Sequence, residues 1–117
     1  MKKIDAINKI QASLDISEPQ IITPKGMIYE EHIRQLSEGL LQSIIDPVLV
    51  KETSSIINDA DFDIYKSATV WAVARAGVNW LLTIEGEQLF ALAFGFDSLD
   101  LKMYGSSSGD ALGEWCS

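Results

Sequence analysis

Thr69-Val70-Trp71-Ala72-Val73-Ala74-Arg75-Ala76-Gly77-Val78-Asn79-Trp80-Leu81-Leu82-Thr83-Ile84 decides the fold. In its first half Thr69, Trp71 and Val73 alternate with Val70, Ala72 and Ala74; in its second, Val78, Trp80, Leu82 and Ile84 alternate with Asn79, Leu81, Thr83 and Glu85. A period of two is that of a strand, because successive side chains of an extended chain point to opposite faces. Between the halves, Ala76-Gly77 supplies a residue that takes positive φ freely, so the two runs are predicted to form a β-hairpin. The competing reading is a helix from Ile64 to Ala76, capped by Asp63 and ended by Gly77. Val70, Trp71 and Val73 favour the sheet.

Toward the C-terminus, Glu85-Gly86-Glu87 reads as a turn into Leu89 to Phe96, which is apolar on both faces and therefore predicted to be a central strand. Phe90, Leu92, Phe94 and Phe96 form one face; Leu89, Ala91, Ala93 and Gly95 form the other. The small face suits close approach, either by the N-terminal helices or by another subunit. After a turn at Asp97-Ser98, Leu99, Leu101 and Met103 are predicted to point inward, with Asp100, Lys102 and Tyr104 outward.

Toward the N-terminus the period is helical. Ile4, Ile7, Ile10 and Leu14 share a stripe of a helix over residues 3–15, ended by Ser17-Glu18-Pro19. Thr23 as cap and Pro24 at the first helical position open a second helix, which Ile33, Leu36, Leu40 and Ile44 continue to about Ile45. Asp46-Pro47 repeats that signal, predicting a third, short helix through Val48 and Leu49 to Ile56 and Ile57; the alternative is an edge strand at Val48-Leu49-Val50. The predicted class is α+β, with two or three N-terminal helices packed on a C-terminal antiparallel β-meander of three to four strands. All 117 residues form one domain, with a helical part at 1–58, a strand-rich part at 62–104 and a flexible tail at 105–117.

Hydrophobic residues make up 47% and charged residues 22%, a globular composition. The densest apolar window, Ala68 to Ile84, carries Arg75 and is shorter than the ~20 residues that span a bilayer, so no membrane segment is expected. Asp5, Asn8 and Lys9 interrupt the apolar run that a signal peptide needs. Cys116, the one cysteine, has no internal disulfide partner, which favours a cytoplasmic address. The net charge is −8. Residues 1–58 hold six basic and eight acidic side chains, residues 59–117 three and nine, so the C-terminal half carries −6 together with nine of the ten aromatics. Such a charge disfavours nucleic acid and anionic membranes.

Motifs of catalysis fail on context. Gly105-Ser106-Ser107-Ser108-Gly109 matches G-x-S-x-G, but the mechanism requires a strand before it and a helix after, with acid and histidine further along, and His32 lies upstream. The loop also lacks the lysine of a P-loop. Asp59, Asp61 and Asp63 have the spacing that opens an EF-hand, yet Ile64 stands where glycine must turn and Val70 where a glutamate must close the shell. His32, near Glu30 and Glu31, has no second histidine or nearby cysteine to complete a zinc site. Glu85 and Glu87 sit at a turn rather than across a cleft. Arg75 ends an apolar stretch and invites Asp97, Asp100 or a ligand anion as its partner. No cofactor and no catalytic activity are therefore expected.

Carboxylates among aromatics resemble the composition of an interface. The function expected is a small acidic protein-binding module, of the kind that neutralises a basic toxin or enzyme as bacterial immunity proteins neutralise nucleases, with Asp59, Asp61, Asp63, Trp71, Glu85, Glu87, Asp97 and Asp100 as partner-binding residues. The alternatives are a homo-oligomeric structural or regulatory domain, a homodimer being the simplest, and a non-catalytic small-ligand domain.

Overall fold

The computed structural model describes residues 1–16, 23–55, 60–104 and 107–116, with backbone alone at 54–55 and 60–62. Its elements run α1 (Lys3–Ile16), α2 (Tyr29–Gln42), β1 (Ile44–Leu49), β2 (Glu52–Ser55), α3 (Ala60–Ser67), β3 (Val70–Ala76), β4 (Asn79–Ile84), β5 (Phe90–Asp97), β6 (Asp100–Met103) and α4 (Ala111–Trp115). The predicted hairpin is β3–β4, pairing from Val70 opposite Ile84 to Ala76 opposite Asn79 with a shift of register between Ala72 and Ala74, and it turns at Gly77 with φ 61°. β5 joins through Gly86, φ 83°, and pairs along β4 from Thr83–Phe90 to Asn79–Phe94. It is central, as its two apolar faces require.

The described strands form one six-stranded sheet in the order β1-β3-β4-β5-β6-β2, antiparallel throughout except for the parallel pair β2–β6. The two edge strands are separated by only two residues of chain. Val50 donates its N–H to the Val70 carbonyl at 3.1 Å, on the β3 edge. Lys51 donates to the Ser98 carbonyl at 2.9 Å and accepts from the Leu101 N–H at 3.1 Å, on the β6 edge. Neighbouring residues can reach opposite edges only if the sheet curls until its edges meet, so one bent strand closes it into a small barrel. Closure satisfies backbone groups that an open sheet leaves at its margins.

Curling separates two apolar clusters. The inner one holds Tyr65, Val70, Ala72, Trp80, Leu82, Ile84, Ala91, Ala93, Leu101 and Met103. The outer one lies between sheet and helices and joins Ala6, Ile10 and Leu40 to Ile44, Val73, Leu81, Phe90, Ala111 and Leu112. The helices thus cover the face of Phe90, not the small face of Ala91 and Ala93. A barrel this narrow has little room inside, and small residues on β3 and β5 leave space there for Trp80, Tyr65 and Met103.

Several boundaries differ from the sequence pattern. Pro24 to Met27 form a turn, with the Met27 N–H bonded to the Pro24 carbonyl at 3.1 Å and Gly26 at φ 90°, so α2 starts at Tyr29 without a side-chain cap. A glycine that would weaken a helix interior instead serves the turn before it. Ile44 and Ile45 leave the helix for opposite faces of β1. The third helix is replaced by strands. Pro47, which lacks a donor, sits in an outermost strand where the register shifts between Ile44 and Val48, a place that tolerates it. The chain from Ala60 to Ser67 is a helix, not a bare acidic connection, and Tyr65 on it is fully buried in the inner cluster.

The tail is also structured. Ser108 and Phe90 exchange backbone hydrogen bonds at 2.7 and 3.0 Å, and Asp110 caps α4 by accepting from the Gly113 N–H at 3.0 Å. Ser13, fully buried on α1, donates to the Gly109 carbonyl at 2.6 Å and accepts from the Ala111 N–H at 2.8 Å. One hydroxyl thereby satisfies two backbone groups of a segment almost a hundred residues away. Ser13→Ala removes both bonds, and is expected to lower unfolding free energy by about 1–3 kcal/mol in chemical denaturation, with exchange at the α4 amides accelerating more than at β4.

Candidate functional site

One end of the barrel gathers exposed apolar side chains. The β3–β4 and β5–β6 turns meet there, where the Gly95 N–H bonds to the Val78 carbonyl at 2.9 Å. Gly95 also accepts from the Trp80 indole N–H at 3.0 Å. A Cβ on Gly95 would lie 2.8 Å from the Asp100 carbonyl oxygen and 2.9 Å from Leu101 Cδ2, so the glycine is what lets β6 close on β5. Register holds at Phe94–Lys102 and shifts before Asp97–Asp100. Such an irregularity re-aims side chains. Phe94 stacks tilted on Tyr104 at 5.0 Å between centroids, whereas Phe96 is 89% exposed and Leu99, predicted to point inward, is 63% exposed.

Carboxylates border these residues. Asp97 accepts from the Leu99 N–H at 3.0 Å, fixing the turn, and Asp100 accepts from the Thr53 hydroxyl at 2.7 Å, tying β6 to β2. With Phe94, Phe96, Lys102 and Thr53 they line a groove of about 280 Å³. On the other side of Ser98 lies a groove of about 540 Å³, lined by Lys3, Ile44, Asp46, Val48, Arg75 and Trp80 among others. The Arg75 guanidinium stands over the Trp80 ring, 4.1 Å from its centroid, and Nε donates to the Gly77 carbonyl at 3.0 Å. Among the described residues no carboxylate lies within ion-pair distance of Arg75, although Asp97 and Asp100 are near in sequence. The cation is held in place by the aromatic ring and the turn.

The remaining sequence candidates lie elsewhere. Asp59 falls outside the described residues, and Asp61 is placed by its backbone alone on α3, which also carries exposed Asp63. Glu85 and Glu87 are at the opposite end of the sheet, beside Lys9. Lys9 donates to the Ile84 carbonyl at 2.6 Å, and its backbone carbonyl accepts from the Gln88 amide at 2.9 Å. Burial pushes the Lys9 ammonium below its ordinary pKa, and the two glutamates oppose that shift. Their negative charge partly compensates this half-buried cation under the β4–β5 turn. Trp71 is half-buried against the helix-side cluster, and its indole N–H is buried without a partner.

Phe96 and Leu99 were not singled out by sequence, because alternation places Phe96 on the apolar face of Phe90 and Leu99 inward with Leu101; in the structure Phe96 lies past the buried part of β5 and Leu99 falls in the turn before β6. Glu52 was also missed: it lies on β2, is 6% exposed, and its Oε1 has no hydrogen-bond partner. Among the described residues no group of three or more His, Cys, Asp or Glu is placed to hold a metal, and no helix is long and apolar enough to cross a membrane. Ser107 donates to the Tyr65 hydroxyl at 3.1 Å, so this serine of the G-x-S-x-G tract secures α3 to the tail. Cys116 is exposed, with its thiol pushed up by desolvation and then by Asp110.

No protein-family model, curated protein sequence or solved structure matches this chain.

Gly95 tests how the surface is built. Gly95→Ala is expected to lower unfolding free energy by about 1–3 kcal/mol in chemical denaturation, since the backbone oxygen of Asp100 must move to admit the methyl group.

Proposed function

We propose that the chain is a protein-binding module and that the β5–β6 end of the barrel is its contact surface. The carrying observation is Phe96, 89% exposed on a central strand of the sheet. An aromatic ring left in water gains about 2 kcal/mol or more when a partner buries it, and aromatic anchors ringed by polar groups are where binding energy concentrates. Asp97 and Asp100 flank the ring, and the whole chain carries −8. A partner with an apolar recess and a basic rim complements that arrangement, and its approach gains speed from the acidic field.

An immunity-type inhibitor, which occludes the anion-binding surface of a basic enzyme or toxin, is the form of this function that charge and size favour. Self-association over the same patch is less favoured, because a two-fold pairing crowds Asp97 and Asp100 of the two copies together. The Arg75 groove beside the turn offers a fixed cation to an acidic group at the partner's margin.

The test is affinity capture at low salt followed by measured binding of the captured protein. A basic partner whose association rate falls steeply with salt, and whose affinity drops by about 2–4 kcal/mol with Phe96→Ala, supports the proposal. Capture that is indifferent to both Phe96 and salt contradicts it. So does a concentration-dependent homodimer that Phe96→Ala dissociates, which assigns the patch to self-association.

A further inference from the structure

Glu52 has no role in the surface described above, yet it is the least comfortable side chain in the fold. It sits where the barrel closes, one residue after the Lys51 hydrogen bonds to Ser98 and Leu101. Its side chain is 6% exposed and Oε1 has no partner. A buried carboxyl is tolerable when neutral and strongly unfavourable when ionised, unless donors or a cation compensate it. The strand that carries it is held weakly. β2 has four residues, pairs with β6 alone, and shifts register between Glu52 and Ser54.

We propose that Glu52 is a proton-controlled latch on the barrel seam: the neutral side chain lets β2 close on β6, and its ionisation favours opening of that pairing. Hydration then reaches the carboxylate while the β1–β3 edge, held by the Val50–Val70 bond, stays closed. Thr53, the next residue, carries the hydroxyl bonded to Asp100. Opening the seam therefore also loosens one wall of the smaller groove, whatever that groove binds.

The surrounding charges leave Glu52 uncompensated. Lys51 lies on its own strand, Asp100 and Lys102 on β6, and Asp63 and Lys66 on α3, and all five are exposed. Asp61 is placed on α3 by its backbone alone, and Tyr65, buried on the same helix, is a further titratable group there. None of them hydrogen-bonds Oε1. Desolvation pushes the Glu52 carboxyl up to about 7, only partly offset by a hydrogen bond from its own backbone amide. The raised value means that the closed seam binds the proton more tightly than the open one, in which the carboxyl returns toward 4.5. Closure is thus at full strength below the lower value, weakens as pH rises toward the upper one, and is constant beyond it.

Amide exchange by NMR tests the latch, with rates corrected for the intrinsic effect of pH. Protection at the Lys51 and Leu101 amides is expected to fall roughly 50-fold between about pH 5 and about pH 8, while Leu81 in β4 changes far less. In Glu52→Gln the seam amides should lose this response. Parallel changes at seam and β4, or an unaltered response in the variant, overturn the proposal. Should the variant not fold, titration of the Glu52 carboxyl carbon in the unsubstituted protein decides: a midpoint near 7 supports the latch, and one near 4.5 refutes it.

Discussion

The peptide that joins Val50 to Lys51 holds the architecture together. On one side of it the chain is the partner of β3, on the other the partner of β6, and no open sheet can satisfy both sets of hydrogen bonds. Everything inside follows from the closure. Few strands make a narrow barrel, so alanines at 72, 91 and 93 face the interior beside one tryptophan and a few aliphatics. Gly95 is needed where β6 draws against β5. The bulky face of the sheet is left outside, and α1, α2 and α4 bury it.

Closure also makes the two ends of the barrel unequal. At one end Tyr65 of α3 enters the inner cluster, and Lys9 and Gln88 fasten the β4–β5 turn to α1. That end is used up by the fold. At the other end two turns meet, and Phe96 and Leu99 stand in solvent beside a carboxylate-lined groove and a groove with a fixed arginine. The acidic half of the chain is therefore divided: Glu85 and Glu87 lie beside Lys9 of α1, whereas Asp97 and Asp100 border the open surface. Exposed apolar area beside ordered charge is the feature on which the proposed binding role stands.

Local physics was legible in the sequence where it suffices by itself. Alternation at Val70 to Ile84 with Gly77 between gave the hairpin and its turn, and the doubly apolar run after Gly86 gave a central strand. The α+β class follows from these and from the helical stripes of α1 and α2. What remained hidden depends on partners distant in the chain. Nothing local says that residues 44–55 bridge two edges, and Asp46-Pro47 resembles a helix start because a capping side chain and a fixed φ suit a strand bend too. α4 has five residues and is anchored by Ser13 from the far end of the chain. The candidate surface was half legible: composition pointed to Asp97 and Asp100, but alternation along the chain shows neither that Phe96 lies past the buried part of β5 nor that Leu99, predicted inward, falls in the turn.

The central claim is that one strand joins both edges of the sheet. Through-hydrogen-bond scalar couplings test it directly, measured from the Val50 amide nitrogen to the Val70 carbonyl carbon and from the Lys51 amide nitrogen to the Ser98 carbonyl carbon. The closed barrel predicts both couplings in the same sample. Detection of the first with loss of the second, under conditions where the β3–β4 couplings are all seen, would mean an open sheet and contradict it.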